Sequence, residues 1–179
     1  MRIIAGKHRG RVLKTLTGEQ TRPMMDRMKE SVFQIIGPYF NGGTVLDLFG
    51  GSGALSLEAI SRGAEEVYIS EYFKDALKII EKNVALLKEE SKVHIYPVSY
   101  EKMLQEVRTK KFDFVFLDPP YRLEIINEII DFLINENMIK KNGMIICHYS
   151  KGKATFTNHL PIIRNQFYGQ SEVTIFKNC

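Results

Sequence analysis

The chain has 179 residues, 44% hydrophobic and 26% charged, an ordinary soluble composition with enough apolar material to pack one domain. No apolar run approaches the ~20 residues that span a bilayer, and the basic start "MRIIAGKHRGR" has no apolar stretch of signal-peptide length, so a cytoplasmic location is expected. The net charge of +4 is uneven: residues 1–30 hold eight basic and three acidic side chains, a net +5, and the remainder carries −1. A basic lobe on a near-neutral body favours a polyanionic partner.

The extended candidates at residues 2–4 and 11–14 flank "AGKHRG", whose glycines suit a turn. After "TRP", Met25, Met28, Val32, Ile35 and Ile36 recur on one helical face, with Pro23 suited to the first turn and Gly37-Pro38 ending the helix. From Thr44 strands and helices alternate. "TVLDLF", "EEVYIS", "KVHIYP", "FDFVFL" and "GMIICHY" are strand candidates. Between them lie the helices "ALSLEAIS", "FKDALKIIEKNVALLKEE", "YEKMLQEVR" and "LEIINEIIDFLINE". The long helix turns Ala76, Leu77, Ile80, Val84 and Leu87 to one side. Such alternation predicts an α/β fold with a parallel sheet. The tail differs: "IIRNQFYGQSEVTIFK" has two extended runs around "YGQS", an antiparallel hairpin at the sheet edge. The division expected is an N-terminal hairpin-and-helix extension, residues 1–40, on a body of residues 41–179.

Cys147 and Cys179 set no disulfide framework, and His8, His94, His148 and His159 lack metal-ligand spacing, so no metal is expected. The glycine-rich turn in "VLDLFGGSGALSLEAI" follows the first body strand, where an open α/β sheet binds ligands. The dinucleotide pattern fails, because Gly50, Gly51 and Gly53 meet no further glycine before Gly63. Asp47 would repel a pyrophosphate but suits a cofactor with an ammonium group, and S-adenosylmethionine carries an ammonium and a sulfonium without phosphate. Glu71, at the end of the next strand, is placed to accept ribose hydroxyls.

The third acid of this rim, Asp118, opens "DPPY" at the end of the fourth body strand. Proline removes a donor and fixes φ, and it holds the preceding residue extended. Asp118 and the Pro119 carbonyl are then two stiff acceptors suited to a nucleobase NH2. Accepting both hydrogens frees the nitrogen lone pair to attack a methyl donor. Pro120 stiffens the loop and Tyr121 offers a stacking face.

These segments resemble the RsmD family of bacterial 16S ribosomal RNA guanine-N2 methyltransferases. The likeness runs through "MRIIAGKHRGRVLKTL", "TRPMMDRMKESVF", "VLDLFGGSGALSLEAISRGA", "VYISE", "FDFVFLDPPY" and "YGQSEVTIF". It implies a seven-stranded class I methyltransferase fold, Rossmann-like, using S-adenosylmethionine. Its cofactor residues carry over to Asp47, Phe49, Gly50, Gly51, Ser52, Gly53, Glu71 and Tyr72, with Thr21 and Pro23 at the pocket mouth. The methyl-transfer motif carries over to Asp118, Pro119, Pro120 and Tyr121. Arg2, Lys7, Arg9, Arg11 and Arg22 become candidates to face 16S rRNA in a small-subunit particle, with the protein a monomer. The chain departs from the resemblance twice. Ser99 stands where an acid usually meets the adenine amine, and His148 stands where relatives often have glutamate; neither is expected to touch the transfer machinery. Against this stand an N6-adenine methyltransferase on RNA or DNA, an RNA chaperone that has lost catalysis, and a nicotinamide enzyme, the last disfavoured by Asp47.

Overall fold

A computed structural model describes residues 1–17, 26–120 and 123–179. Thr21, Arg22, Pro23, Met25 and Tyr121 lie outside the described residues. Five apolar runs form β1 (Thr44–Asp47), β2 (Glu66–Ser70), β3 (Val93–Tyr96), β4 (Phe112–Leu117) and β5 (Ile139–Ser150). The tail supplies β6 (Ile162–Tyr168) and β7 (Ser171–Lys177). They join into one seven-stranded sheet of order β3-β2-β1-β4-β5-β7-β6. Neighbours from β3 through β5 are parallel, and β7 pairs antiparallel with β5 and with β6. The tail hairpin therefore forms the sheet edge with β6 outermost, and β6 is exposed along nearly its whole length.

The helices are α1 (Asp26–Ile36), α2 (Ala54–Ser61), α3 (Lys74–Leu87), α4 (Tyr100–Glu106) and α5 (Leu123–Asn135). Two apolar clusters fill the molecule. One joins Val32, Phe33, Val45, Leu57, Ile69 and Ile80; the other joins Leu46, Met103, Val115, Ile126, Ile130 and Ile145. Val45 and Leu46 are successive on β1 yet belong to different clusters, so this central strand is buried on both faces. That burial is why the strand is continuously apolar and does not alternate. Among the described residues no helix is long and apolar enough to cross a membrane.

The N-terminal segment folds back on α2. Ile3 N donates to Arg11 O, Gly10 N to Ile3 O and Leu13 N to Met1 O, each at 2.9 Å, closing a hairpin. Its anchor is Glu58, a fully buried carboxylate on α2. Glu58 accepts from Ile4 N at 3.0 Å, Ala5 N at 3.1 Å and Arg62 Nε at 2.7 Å, with Lys29 Nζ at 3.2 Å. Lys29 is itself fully buried on α1, where it donates to the Arg2 carbonyl at 2.6 Å. The buried stripe of α1 thus comprises Met28, Lys29, Val32, Phe33 and Ile36, while Ile35 is only partly covered. A lysine enters an apolar stripe here because a buried carboxylate and a carbonyl meet its charge. Ile3 and Leu13 share a cluster with Val45, so residues from the N-terminal segment and the body fill one core.

β5 starts earlier than its sequence suggests. Its pairing with β4 jumps from Phe112↔Ile139 to Phe114↔Met144, with Asn142 at φ 65° in between. Asn142 N donates to Asn178 O at 2.6 Å, so the irregular part is tied to the end of the chain. On α3 the buried set is Ala76, Ile80, Asn83, Val84 and Leu87, with Leu77 only partly covered.

Candidate active site

The register aligns Asp47 on β1 with Ile69 on β2 and with Phe116 on β4. The carboxyl ends of three adjacent strands therefore lie side by side, and Asp47, Glu71 and Asp118 come from that one edge. Between Asp47 and α2 the chain makes the glycine turn. Gly51 has φ 58° and Gly53 φ 78°, left-handed values that L side chains rarely adopt. Gly50 is needed for a different reason: a Cβ there would sit 2.4 Å from Ile69 Cγ2.

Asp47 lies beneath this turn and does not line the cavity in front of it, contrary to the direct cofactor contact expected from the sequence. Its Oδ2 accepts from Ser56 Oγ at 2.7 Å and its Oδ1 from Phe49 N at 3.3 Å, so it binds the loop to the first turn of α2. Burial pushes its pKa up to about 7, against the two hydrogen bonds that lower it; the charges of Asp118 and Glu71 raise it further.

Glu71 faces the cavity and is almost saturated. Its Oε1 accepts from Tyr72 N at 2.8 Å and Phe73 N at 2.9 Å, capping the start of α3. Its Oε2 accepts from Gly51 N at 3.0 Å. One carboxylate thus joins the end of β2 to the glycine turn. Asn83 braces the turn from behind: its Nδ2 donates to Ser52 O and to Lys14 O, both at 2.9 Å, and its Oδ1 accepts from Lys14 N at 2.8 Å. The turn is therefore linked through α3 to the segment leaving the N-terminal hairpin.

A cavity of about 720 Å³ opens over these groups. Phe49, Gly50, Gly51, Ser52, Glu71 and Tyr72 line it, as do Asp118, Pro119 and Pro120. The sequence reading placed all nine at a ligand site, and the fold brings them to one wall or another of the same space. Two other candidates are not on the cavity surface. Gly53 starts α2 behind the turn, and Ser99 caps α4, its Oγ accepting from Lys102 N at 3.5 Å. The residues flanking Ser99, Val98 and Tyr100, line the cavity in its place, and Tyr100 packs its ring 5.4 Å from that of Phe49. Ser99 is a helix cap because a hydroxyl there meets an orphan N–H of the first turn.

The far wall comes from β4 and β5. Leu117 is aligned with Cys147, so the following residues, Asp118 and His148, are neighbours. His148 Nδ1 lies 2.8 Å from Asp118 Oδ1. This corrects the expectation that residue 148 stands apart from the DPPY motif. Thr15, Leu16 and Lys29 line the cavity from the N-terminal segment and α1. The basic candidates Arg2, Lys7, Arg9 and Arg11 are all exposed, and Lys7 is also tied by a 2.9 Å bond to Glu89.

A family model described as "Conserved hypothetical protein 95" matches residues 1–177. The Haemophilus influenzae protein named ribosomal RNA small subunit methyltransferase D is 38% identical over 160 residues, covering 88% of this chain and 82% of that one. This chain belongs to the RsmD family. The Escherichia coli K12 protein of the same name is 32% identical over 145 residues, spanning 81% of this chain and 72% of its own length. A solved structure of a conserved hypothetical protein from Streptococcus pyogenes superposes with a TM-score of 0.79 at 37% identity, covering 84% of this chain and 95% of that one. The seven-stranded sheet with its antiparallel end is thus an RsmD-family fold, that of the class I methyltransferases. Sequence reasoning missed Phe73, Val98, Tyr100 and Lys29 on the cavity. A signal existed for Tyr100, an aromatic directly after the third strand's loop, but none for Lys29, a charged residue in the buried stripe of α1 whose partner Glu58 lies on α2.

Proposed function

We propose that this RsmD-family chain methylates the exocyclic N2 amine of a guanine in 16S ribosomal RNA, with S-adenosylmethionine as donor. The observation that carries the reading is the placement of Asp118 across one cavity from Gly51 and Glu71. The residues fit the cofactor. The cavity lies within the ~300–1,000 Å³ of ordinary small-molecule sites. Gly51 N–H is already held by Glu71, and Gly53 N donates to Gly50 O at 2.7 Å, so the turn keeps few donors for a phosphate. Glu71 and Asp118 on the cavity wall favour a cationic ligand over an anionic one.

In this reading Glu71 meets the ribose hydroxyls, and Phe49, Val98 and Tyr100 enclose the adenine. S-adenosylmethionine, when bound, supplies an activated methyl group on sulfur. Asp118 and the Pro119 carbonyl accept the two hydrogens of the amine and turn its lone pair toward that carbon. Tyr121, outside the described residues, is the candidate stacking ring. No covalent enzyme intermediate is required, and positioning with fixed dipoles supplies the acceleration. Residues 1–40 serve as the RNA-facing extension of a catalytic body at residues 41–179, with Arg2, Arg9 and Arg11 contacting phosphates and Lys7 and Arg22 as further candidates. The protein acts as a monomer on a small-subunit particle.

The test incubates the protein with isotope-labelled S-adenosylmethionine and small subunits from cells lacking it, then identifies the labelled nucleoside by mass spectrometry. N2-methylguanosine is expected, falling by about 10²-fold or more with Asp118→Ala. Label in N6-methyladenosine, or none, would refute the proposal.

A further inference from the structure

His148 is 8% exposed and lines the cavity. Its Nδ1 is 2.8 Å from Asp118 Oδ1, while its Nε2 is buried without a hydrogen-bond partner among the described residues. An ionised carboxylate only accepts, so Nδ1 carries the hydrogen and Nε2 of the neutral ring bears a lone pair. Leaving such a group unsatisfied is costly, which asks for a use. The other titratable groups around this space are Glu71 beyond β2, Tyr72, Tyr100 on α4, Lys29 on α1 and Lys153 beyond β5, with Tyr149 beside His148 on β5 and Asp47 beneath the turn. On β7, Glu172 is engaged by Gly152 N and Asn165 Nδ2, at 3.1 and 2.8 Å. Lys29 is held by Glu58 and the Arg2 carbonyl, and Glu71 by three N–H groups. Of the imidazole and these neighbours, only His148 combines a direct bond to Asp118 with an unused basic atom.

We infer that His148 is the proton acceptor of this site, with Asp118 as its orienting partner; the inference rests on the methyl-transfer reading above. As the nitrogen forms its bond to carbon, the carbon–sulfur bond breaks, and the positive charge passes from sulfur to nitrogen. The nitrogen then releases one of the two protons that Asp118 and the Pro119 carbonyl had held, and Nε2 of His148 takes it. The resulting imidazolium keeps its Nδ1–H on Asp118 Oδ1 and forms an ion pair with a carboxylate that stays ionised. This is the division of labour of histidine–aspartate pairs in which the acid orients and the ring carries the proton. The sulfur product leaves as a neutral thioether, and the proton passes to solvent once the products have left.

His148→Gln tests this, because an amide can still donate to Asp118 but cannot accept a proton. Turnover on undermodified small subunits should fall by about 10²-fold, within the range for general bases, with KM for S-adenosylmethionine changed less than twofold. The wild-type rate should rise with pH along a limb that His148→Gln lacks. A second readout needs no cofactor: ¹⁵N NMR of the protein alone should find His148 protonated at Nδ1 and bare at Nε2, a preference that Asp118→Asn weakens. Wild-type turnover and pH dependence in a folded His148→Gln, or an Nε2–H tautomer, would overturn the inference. An inactive wild type would overturn the methyl-transfer reading with it, which separates the two failures.

Discussion

Replacing Asp47 by asparagine should make the molecule's stability less dependent on pH, by an amount the structure sets. Asp47 is 1% exposed, and burial lifts its pKa from 3.8 to about 7. Below about pH 4 the folded and unfolded chains both hold the proton, and the group contributes nothing to the slope. Between about pH 4 and 7 the folded chain keeps a proton that the unfolded chain has lost, so stability falls as pH rises. At 1.36 kcal/mol per unit the total is about 4 kcal/mol, a large share of the ~5–15 kcal/mol that holds a domain together. Asparagine removes the titration and keeps the shape. Its Oδ1 can accept from Phe49 N while its amide donates to Ser56 Oγ. Glu89, Glu101 and Glu172, whose pKa values are lowered mainly by hydrogen bonds that outweigh burial, stabilise the fold above the usual carboxylate range and lose that contribution as pH falls. They act alike in both proteins and cancel in the difference. Urea unfolding at pH 4.5, 6 and 7.5 measures it. The advantage of Asp47→Asn over wild type should grow by about 3 kcal/mol across that range, the rest of the total falling outside it; a difference independent of pH would refute the reasoning.

Gly51→Ala should cost only about 1–2 kcal/mol, since its Cβ meets nothing within 4 Å and only the left-handed φ of 58° is penalised, yet calorimetry should show weakened S-adenosylhomocysteine binding because the methyl intrudes on the cavity. Gly50→Ala should lower the melting temperature more, because its Cβ would press within 2.4 Å of Ile69. Glu58→Gln breaks a buried cluster of Lys29, Arg62 and two backbone N–H groups, and denaturation should register a loss of about 3–5 kcal/mol. RNA binding should weaken steeply with salt, and Arg9→Ala with Arg11→Ala should flatten the log–log slope by up to about 1 per lost phosphate contact in a filter-binding titration.

The strands were legible because a sheet covered on both sides demands unbroken apolar runs, and "TVLD", "EVYIS" and "FDFVFL" supply them. Alternation with helices then put Asp47, Glu71 and Asp118 on one edge before any coordinate was known. What the sequence hid was which polar group faces inward. Asp47 and Glu71 look alike as acids at strand ends, but α2 covers one and the cavity reaches the other. Lys29 and Asn83 sit on the buried faces of amphipathic helices and Glu58 on a helix buried all round, and their partners include backbone groups of the N-terminal segment more than 20 residues away. His148 pairs with Asp118 across 30 residues, through a register that only strand pairing defines.

The most direct test of the account is a crystal structure of the protein with S-adenosylhomocysteine. The account predicts adenosine between Glu71 and Tyr100, with the sulfur turned toward Asp118 and leaving room for an amine within about 3–3.5 Å of the transferred carbon. A ligand lodged outside this cavity, or bound with its sulfur directed away from Asp118, would contradict it.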